Sequence, residues 1–319
     1  MNMTIIKSLR KKLGAIKCVV FDQWPYRGKV RSIPRFREQY RSLLGRLPPL
    51  PPFRENRYEL HMLCGHRDTD MGIWASWSIM RFLDGQARLY VHSDGTLTNE
   101  DADHWRKILG EVIVIDRKES DATVEKALAT ITTHLYPWRC SNWASAQLVD
   151  IHFFGEAPTM LILDSDVLTF SKPQEVIDAL DTLPPRFGWC EDLRDAYSAT
   201  PEILHEITGT HVLPRLCAGF LVCPRLGIED FVMLDEQMRK IDSDPRVDVG
   251  HFWSCQTYYA LVASRFAGSK QFSDLYSNTD SRTSNQQVLR HFVGVPKVRF
   301  RYFTEGLPRI AARITGLSS

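Results

Sequence analysis

Residues Met160, Leu161, Ile162 and Leu163 form an unbroken apolar run that stops on two aspartates one residue apart, Asp164 and Asp166. A strand covered on one face alternates apolar and polar side chains, whereas one covered on both faces loses that alternation. The run therefore predicts an interior strand over 159–163, and an α/β architecture around it. Beyond the strand's end the backbone leaves the hydrogen-bonded ladder, so both carboxylates can turn toward one point. In open α/β sheets that C-terminal edge is where ligands bind. Two converging carboxylates there suit a hard divalent cation, Mg²⁺ or Mn²⁺.

The triplet alone says little, because Asp68/Asp70, Asp101/Asp103 and Asp242/Asp244 repeat it. Context separates them. Asp101 follows Thr98 as in a capped helix start. Asp244 precedes Pro245 in a turn that ends a helix. Asp68 and Asp70 read as the cap of the helix that follows. Asp164 and Asp166 alone terminate a fully apolar strand; turn or cap carboxylates are the plainer alternative for them.

Around this strand the chain alternates strands and helices. Strands are expected at 58–65, 88–92, 112–116 and 216–223, and helices at 71–82, 100–109, 121–134, 173–180, 229–241 and 253–266. Such alternation predicts a mostly parallel sheet with helices on both faces. At 319 residues, with 44% hydrophobic and 24% charged residues, the chain can bury an ample core. No apolar run reaches the length of a membrane span, and no signal peptide is visible. Seven scattered cysteines without a C-x-x-C pair read as reduced thiols of a cytoplasmic protein.

Charge is distributed unevenly. Residues 1–46 carry an excess of ten positive charges, which leaves the remainder net acidic by eight. A basic segment of this kind offers a surface to anionic lipid headgroups, which would place the protein peripherally on the inner membrane face. A solvated helical face or a flexible arm explains it equally, and nucleic acid is not the expected partner. The proline run at 48–52 is a stiff linker. It divides a basic extension, residues 1–52, from a main domain, residues 53–319.

The second half supplies companions to the two aspartates. Cys217-Ala218-Gly219-Phe220 is a strand with a glycine where a ligand or another backbone approaches closely. His291 has an imidazole that can complete a metal shell, Gly294 lets backbone approach phosphate, and Lys297 can neutralise a diphosphate. Ser165, between the aspartates, and Asp94, after the second strand, are further candidates for ligand contact.

These residues together resemble the GT-A-fold, nucleotide-sugar-dependent glycosyltransferases over about 58–305. Leu161–Asp166 matches the D-x-D motif of that family. Cys217-Ala218-Gly219-Phe220 resembles its N-A-G-F strand and Cys255-Gln256 its D-Q or E-Q pair. His291-x-x-Gly294-x-x-Lys297 resembles the H-x-x-G-x-x-K element of the glycogenin-like, family 8 retaining transferases. The resemblance implies a GT-A-type, Rossmann-like mixed sheet. It implies that Asp164, Asp166 and His291 hold Mn²⁺ (or Mg²⁺) against the diphosphate of a UDP-sugar. Gly294 and Lys297 would bind that diphosphate, with Gln256 near the anomeric carbon and Asp166 shared between metal and catalysis. The implied reaction is retaining transfer to a glycan or lipid-linked acceptor. Cys217 and Cys255 depart from the pattern, and a thiol cannot replace a carboxylate as acceptor or counter-charge.

Other readings are weaker. His92-Ser93-Asp94-Gly95-Thr96-Leu97 resembles the D-x-D-G-T-L signature of haloacid-dehalogenase-type phosphatases, but His92 stands where the nucleophilic aspartate belongs. A sugar-phosphate nucleotidyltransferase would need a Gly-rich basic signature, and Gly65-His66-Arg67 is too thin for one. A non-catalytic nucleotide-sugar-binding protein is favoured by the two cysteines.

Overall fold

The computed structural model describes residues 27–247, 253–294 and 296–315. Helix α1 (Arg27–Leu44) precedes β1 (Tyr58–Cys64), α2 (Thr69–Met80), β2 (Ala87–Ser93), α3 (Asn99–Leu109), β3 (Val112–Ile115) and α4 (Arg117–Leu128). Helix α5 (Leu135–Ser141) and two short 3₁₀ turns lead into β4 (Thr159–Leu163) and β5 (Val167–Thr169). Then come α6 (Gln174–Leu180), β6 (Gly188–Glu191), α7 (Pro201–Thr208), β7 (Leu216–Pro224), α8 (Ile228–Asp242) and α9 (Ser254–Ala263). The chain ends with β8 (Lys270–Gln271), β9 (Tyr276–Ser277), β10 (Leu289–His291), α10 (Pro296–Arg301), a π turn and α11 (Leu307–Thr315).

One sheet runs in the order β3-β2-β1-β4-β7-β6-β9-β10-β5, with β8 beside β6. Strands β3, β2, β1 and β4 are mutually parallel, and β7 runs antiparallel between β4 and β6. The expected sheet is thus mixed. An apolar run reports burial on both faces but carries no information about strand direction. Along β4, Leu161 and Leu163 enter one apolar layer, Met160 and Ile162 the other. Strand β7 divides its side chains in the same way and is buried throughout.

Two elements differ from the sequence expectation for stated reasons. The helix expected over 121–134 starts at Arg117, capped by Asp116, and ends at Leu128. The chain then re-forms as α5 because the Asp235 carboxylate, from α8, accepts the backbone N–H groups of Thr133, His134 and Leu135 at 2.7–2.9 Å. Asp68 precedes α2, yet its side chain caps nothing there. It pairs instead with Arg37 at 2.7 Å, as Asp70 does with Arg41 at 2.6 Å.

Those pairs seat α1 on the main body. Tyr40 and Leu44 are buried, and Phe36 stacks on Phe303 with ring centroids 6.3 Å apart. The Trp74 and Trp77 indole N–H groups donate to Tyr40 and Pro48 carbonyls. Over residues 31–44 the basic segment packs one face on the core while Arg31, Arg35 and Arg41 stay exposed; residues 7–17, which carry its lysine-rich part, lie outside the described residues. Among the described residues no helix is long and apolar enough to cross a membrane.

At the sheet edge opposite the aspartates, Glu59 on β1 is fully buried against Arg225, 2.5 Å away. Its other oxygen accepts from Glu156 N and Asn56 Nδ2 at 2.9 and 3.0 Å. Gly155, at φ +85°, passes so close that a Cβ would stand 2.3 Å from the carboxylate. Burial opposes the charge, but hydrogen bonds from His61, the Glu156 and Ala157 backbone and Asn56 outweigh it and hold the carboxyl down at about 2. A depressed folded-state value gives stability that is present above the unfolded value and lost as pH falls toward 2. Glu59→Gln, which removes the counter-charge of Arg225, is expected to cost about 3 kcal/mol at neutral pH. It should also flatten the fall in stability below pH ~4.5 relative to wild type; urea denaturation across pH measures both.

Candidate metal and nucleotide site

Strand β4 ends at Leu163, paired with Phe220, and the Asp164 N–H donates to Gly219 O at 2.7 Å. The chain turns through Ser165 and enters β5, which pairs antiparallel with β10. In that register His291 lies opposite Val167, and Phe292 N donates to Asp166 O at 2.9 Å. Residues 125 positions apart are thereby brought to one point. His291 Nε2 stands 3.0 Å from Asp166 Oδ1 and 3.6 Å from Asp164 Oδ2. One ligand atom from each of the three side chains lies within 4.8 Å of the others.

Gly219 makes this approach possible. A Cβ there would stand 2.3 Å from His291 Cε1 and 2.5 Å from Asp164 Oδ2. The sequence suggested that a ligand or another backbone approaches this glycine; the groups that do so are the cluster's own side chains.

Each group is held from outside. Gln147, on a 3₁₀ turn (Trp143–Gln147), donates to Asp164 Oδ1 at 2.8 Å and to Ala218 O at 3.2 Å. Cys217 Sγ lies 3.0 Å from His291 Nδ1 and so fixes the ring that presents Nε2 to the carboxylates. Arg299, from α10, donates to Asp166 Oδ2 at 2.6 Å. Burial raises the Asp164 carboxyl, and repulsion by Asp166 raises it further. Burial acts the same way on Asp166, but Arg299 and His291 outweigh it and keep that carboxyl below its ordinary value. Burial works against a charged His291, yet Cys217 and Asp166 lift the imidazole well above its usual value.

Two carboxylates and an imidazole are a donor set for a divalent cation of the Mn²⁺ or Mg²⁺ kind. The buried Asp166 Oδ1 has no donor aligned on it, as an unused ligand atom would. The donor set fits such a cation.

The remaining sequence candidates lie around the cluster. Gln256 does not touch it: its Oε1 accepts from Ala218 N at 3.2 Å and its Nε2 donates to Asp192 at 2.9 Å. Asp192 in turn accepts from Asn278 and Leu193 N. Gln147, Asp192 and Asn278 belong to no motif in the sequence. Asp192 follows the short run Trp189-Cys190, and that position just after a strand was its one available signal. Cys255 is buried with Sγ toward Ala144 O, so it presents no acceptor to the site. Asp94 is exposed at the end of β2, where it accepts from Thr96 N and Oγ1. With β1 between β2 and β4, it stands about 10 Å along the edge from Asp164. Ser165 is half-buried and Gly294 exposed. Lys297 sits in the first turn of α10, and its side chain lies outside the described residues.

No protein-family model matches the sequence, and no curated protein matches it. Solved structures do share its architecture. The galactosyltransferase LgtC, solved in complex with donor and acceptor sugar analogues, is 15% identical over 82% of this chain and 96% of its own, with a TM-score of 0.50. Mouse xyloside xylosyltransferase 1 is 10% identical over 75% of this chain and 97% of its own, at 0.49. The chain has a GT-A-type glycosyltransferase fold.

In this GT-A fold the three-residue cluster lies at the C-terminal edge of β4. Gly219→Ala is expected to spread His291 and Asp164 and to weaken divalent-cation binding about tenfold to a hundredfold, the scale seen when the support of a metal ligand is lost. Titration with Mn²⁺ followed by electron paramagnetic resonance measures it.

Proposed function

We propose that the protein is a metal-dependent glycosyltransferase that transfers a sugar from a nucleotide-diphosphate sugar, a UDP-sugar, to a glycan or lipid-linked acceptor with retention. The observation that carries this reading is the meeting of Asp164, Asp166 and His291 around Gly219 at the ligand-binding edge of a GT-A fold. The fold's likeness to a galactosyltransferase solved with donor and acceptor analogues supports the substrate class.

Asp164, Asp166 and His291 would hold Mn²⁺ or Mg²⁺. Bound there, the cation supplies positive charge against the diphosphate and against the charge that builds on the departing nucleotide. Cys217 keeps His291 in the orientation that offers Nε2 to the cation. Exposed Gly294 leaves room for phosphate, and Lys297 adds a positive charge to it. Ser165 and Asp94 contact the nucleotide from the edge of β4 and β2. Gln256, clamped between Ala218 N and Asp192, sets its amide toward the sugar and contributes through orientation. Asp192 is engaged by Gln256, Asn278 and Leu193, so it acts as a positioning group for that amide. The lipid-linked form of the acceptor, with contact to an anionic membrane face, rests on the basic excess of residues 1–46.

A second reading, a nucleotide-sugar-binding protein without transfer activity, is favoured by one observation. Cys255 turns into the core and leaves the D-Q-like pair without its carboxylate.

Calorimetry of UDP with and without Mn²⁺, on wild type and Asp166→Ala, tests the phosphate half. Binding at least about tenfold tighter with Mn²⁺, and lost in Asp166→Ala, is the expected result. Metal-independent binding, or none, would remove Asp164 and Asp166 from the mechanism. Turnover of UDP-sugars by a protein that passes this test then separates transferase from binder.

A further inference from the structure

We propose that Arg299 is a resident counter-ion of the cation site: it holds Asp166 until a cation takes that carboxylate, and is then released to the nucleotide diphosphate. This rests on the metal-site reading above and adds coupling between cation and nucleotide to it.

The geometry is specific. Arg299 Nη2 lies 2.6 Å from Asp166 Oδ2, a charge-assisted hydrogen bond onto a carboxylate that is 6% exposed. The other oxygen, Oδ1, faces His291 and has no aligned donor. A cation at Oδ1 and the guanidinium at Oδ2 are like charges on one buried carboxylate, so binding of the first weakens the hold on the second. Without a cation, Asp164 and Asp166 repel each other, and Arg299 offsets part of that repulsion.

The guanidinium is also placed to leave. Its side chain is 23% exposed, and Nη1 rests on Met71 Sδ at 3.7 Å, a weak acceptor. A Cβ on Gly294 would stand 3.8 Å from Arg299 Nη2. The guanidinium thus already borders the bare backbone at which diphosphate is proposed to bind. Its fork matches phosphate oxygens in a way that a point charge does not.

The consequence is thermodynamic. A cation that displaces Arg299 pays for breaking the Asp166 contact, and the freed guanidinium then strengthens diphosphate binding. Cation and nucleotide therefore bind with positive coupling, equal in both directions by linkage.

Calorimetric titrations of Mn²⁺ and of UDP, each with and without the other, on wild type and R299Q test this. Mn²⁺ alone is expected to bind R299Q about tenfold tighter than wild type, the scale of one hydrogen bond to a charged group. UDP at saturating Mn²⁺ is expected to bind R299Q about tenfold weaker, so that Mn²⁺ affinity at saturating UDP is nearly equal in the two proteins. A purely structural role for Arg299 would not move the two constants in opposite directions. If R299Q does not fold, R299K carries the test, with both constants expected to shift the same ways by a few fold. Unchanged Mn²⁺ affinity and unchanged coupling would overturn the role of Arg299 while the cation site stands. Absence of Mn²⁺ binding in wild type and variant alike would overturn the cation site itself, and this inference with it.

Discussion

Two carboxylates forced together, Asp166 buried and Asp164 partly exposed, are the constraint around which the ligand-binding edge is arranged. Asp164 and Asp166 lie on one short turn; burial and its neighbour's charge raise the Asp164 carboxyl, whereas Arg299 and His291 outweigh burial at Asp166 and keep it ionised. Their repulsion would spread the turn if nothing opposed it. The opposing charges come from residues far along the chain. His291 is delivered by the pairing of β10 with β5, and Arg299 by the helix that follows. The C-terminal fifth of the chain is therefore electrostatically coupled to the central strand.

The sheet provides the rigidity this arrangement needs. Buried on both faces, β4 and β7 fix the positions from which Asp164 and Gly219 project. Gly219 has no side chain at the one place where any Cβ would collide with both the imidazole and a carboxylate. At the opposite edge Glu59 and Arg225 tie β1 to the end of β7, with Arg225 also bonded to the carbonyls of His152, Phe154 and Ala157. One edge thus carries a fully satisfied ion pair and the other an incompletely satisfied acidic cluster. A buried oxygen such as Asp166 Oδ1, 3.0 Å from the His291 ring but without an aligned hydrogen bond, is costly, and costs of this kind are retained where ligands bind.

The two cysteines that break the resemblance are not equivalent. Cys217 touches the His291 ring and so has a place in the cluster, whereas Cys255 faces the core. A carboxylate does lie beside Gln256, but Asp192 supplies it from the other side of the amide.

The sequence by itself determined the layered α/β fold, the strand at 159–163 and the prominence of Asp164 and Asp166. The apolar run and the abrupt appearance of charge are local features, and local features survive in one dimension. Spacing and residue type also marked Gly219 and His291, through resemblance. Only the tertiary structure decided the direction of β7, since burial is blind to direction, and the strands of two or three residues that bring His291 to the aspartates, since so short a strand has no period to read. It alone seated one face of α1 on the core, with Arg37 and Arg41 meeting Asp68 and Asp70 at its rim. It alone showed Gln147, Asp192 and Arg299 as partners, because a hydrogen bond between residues 17, 64 or 133 positions apart leaves no pattern in either segment.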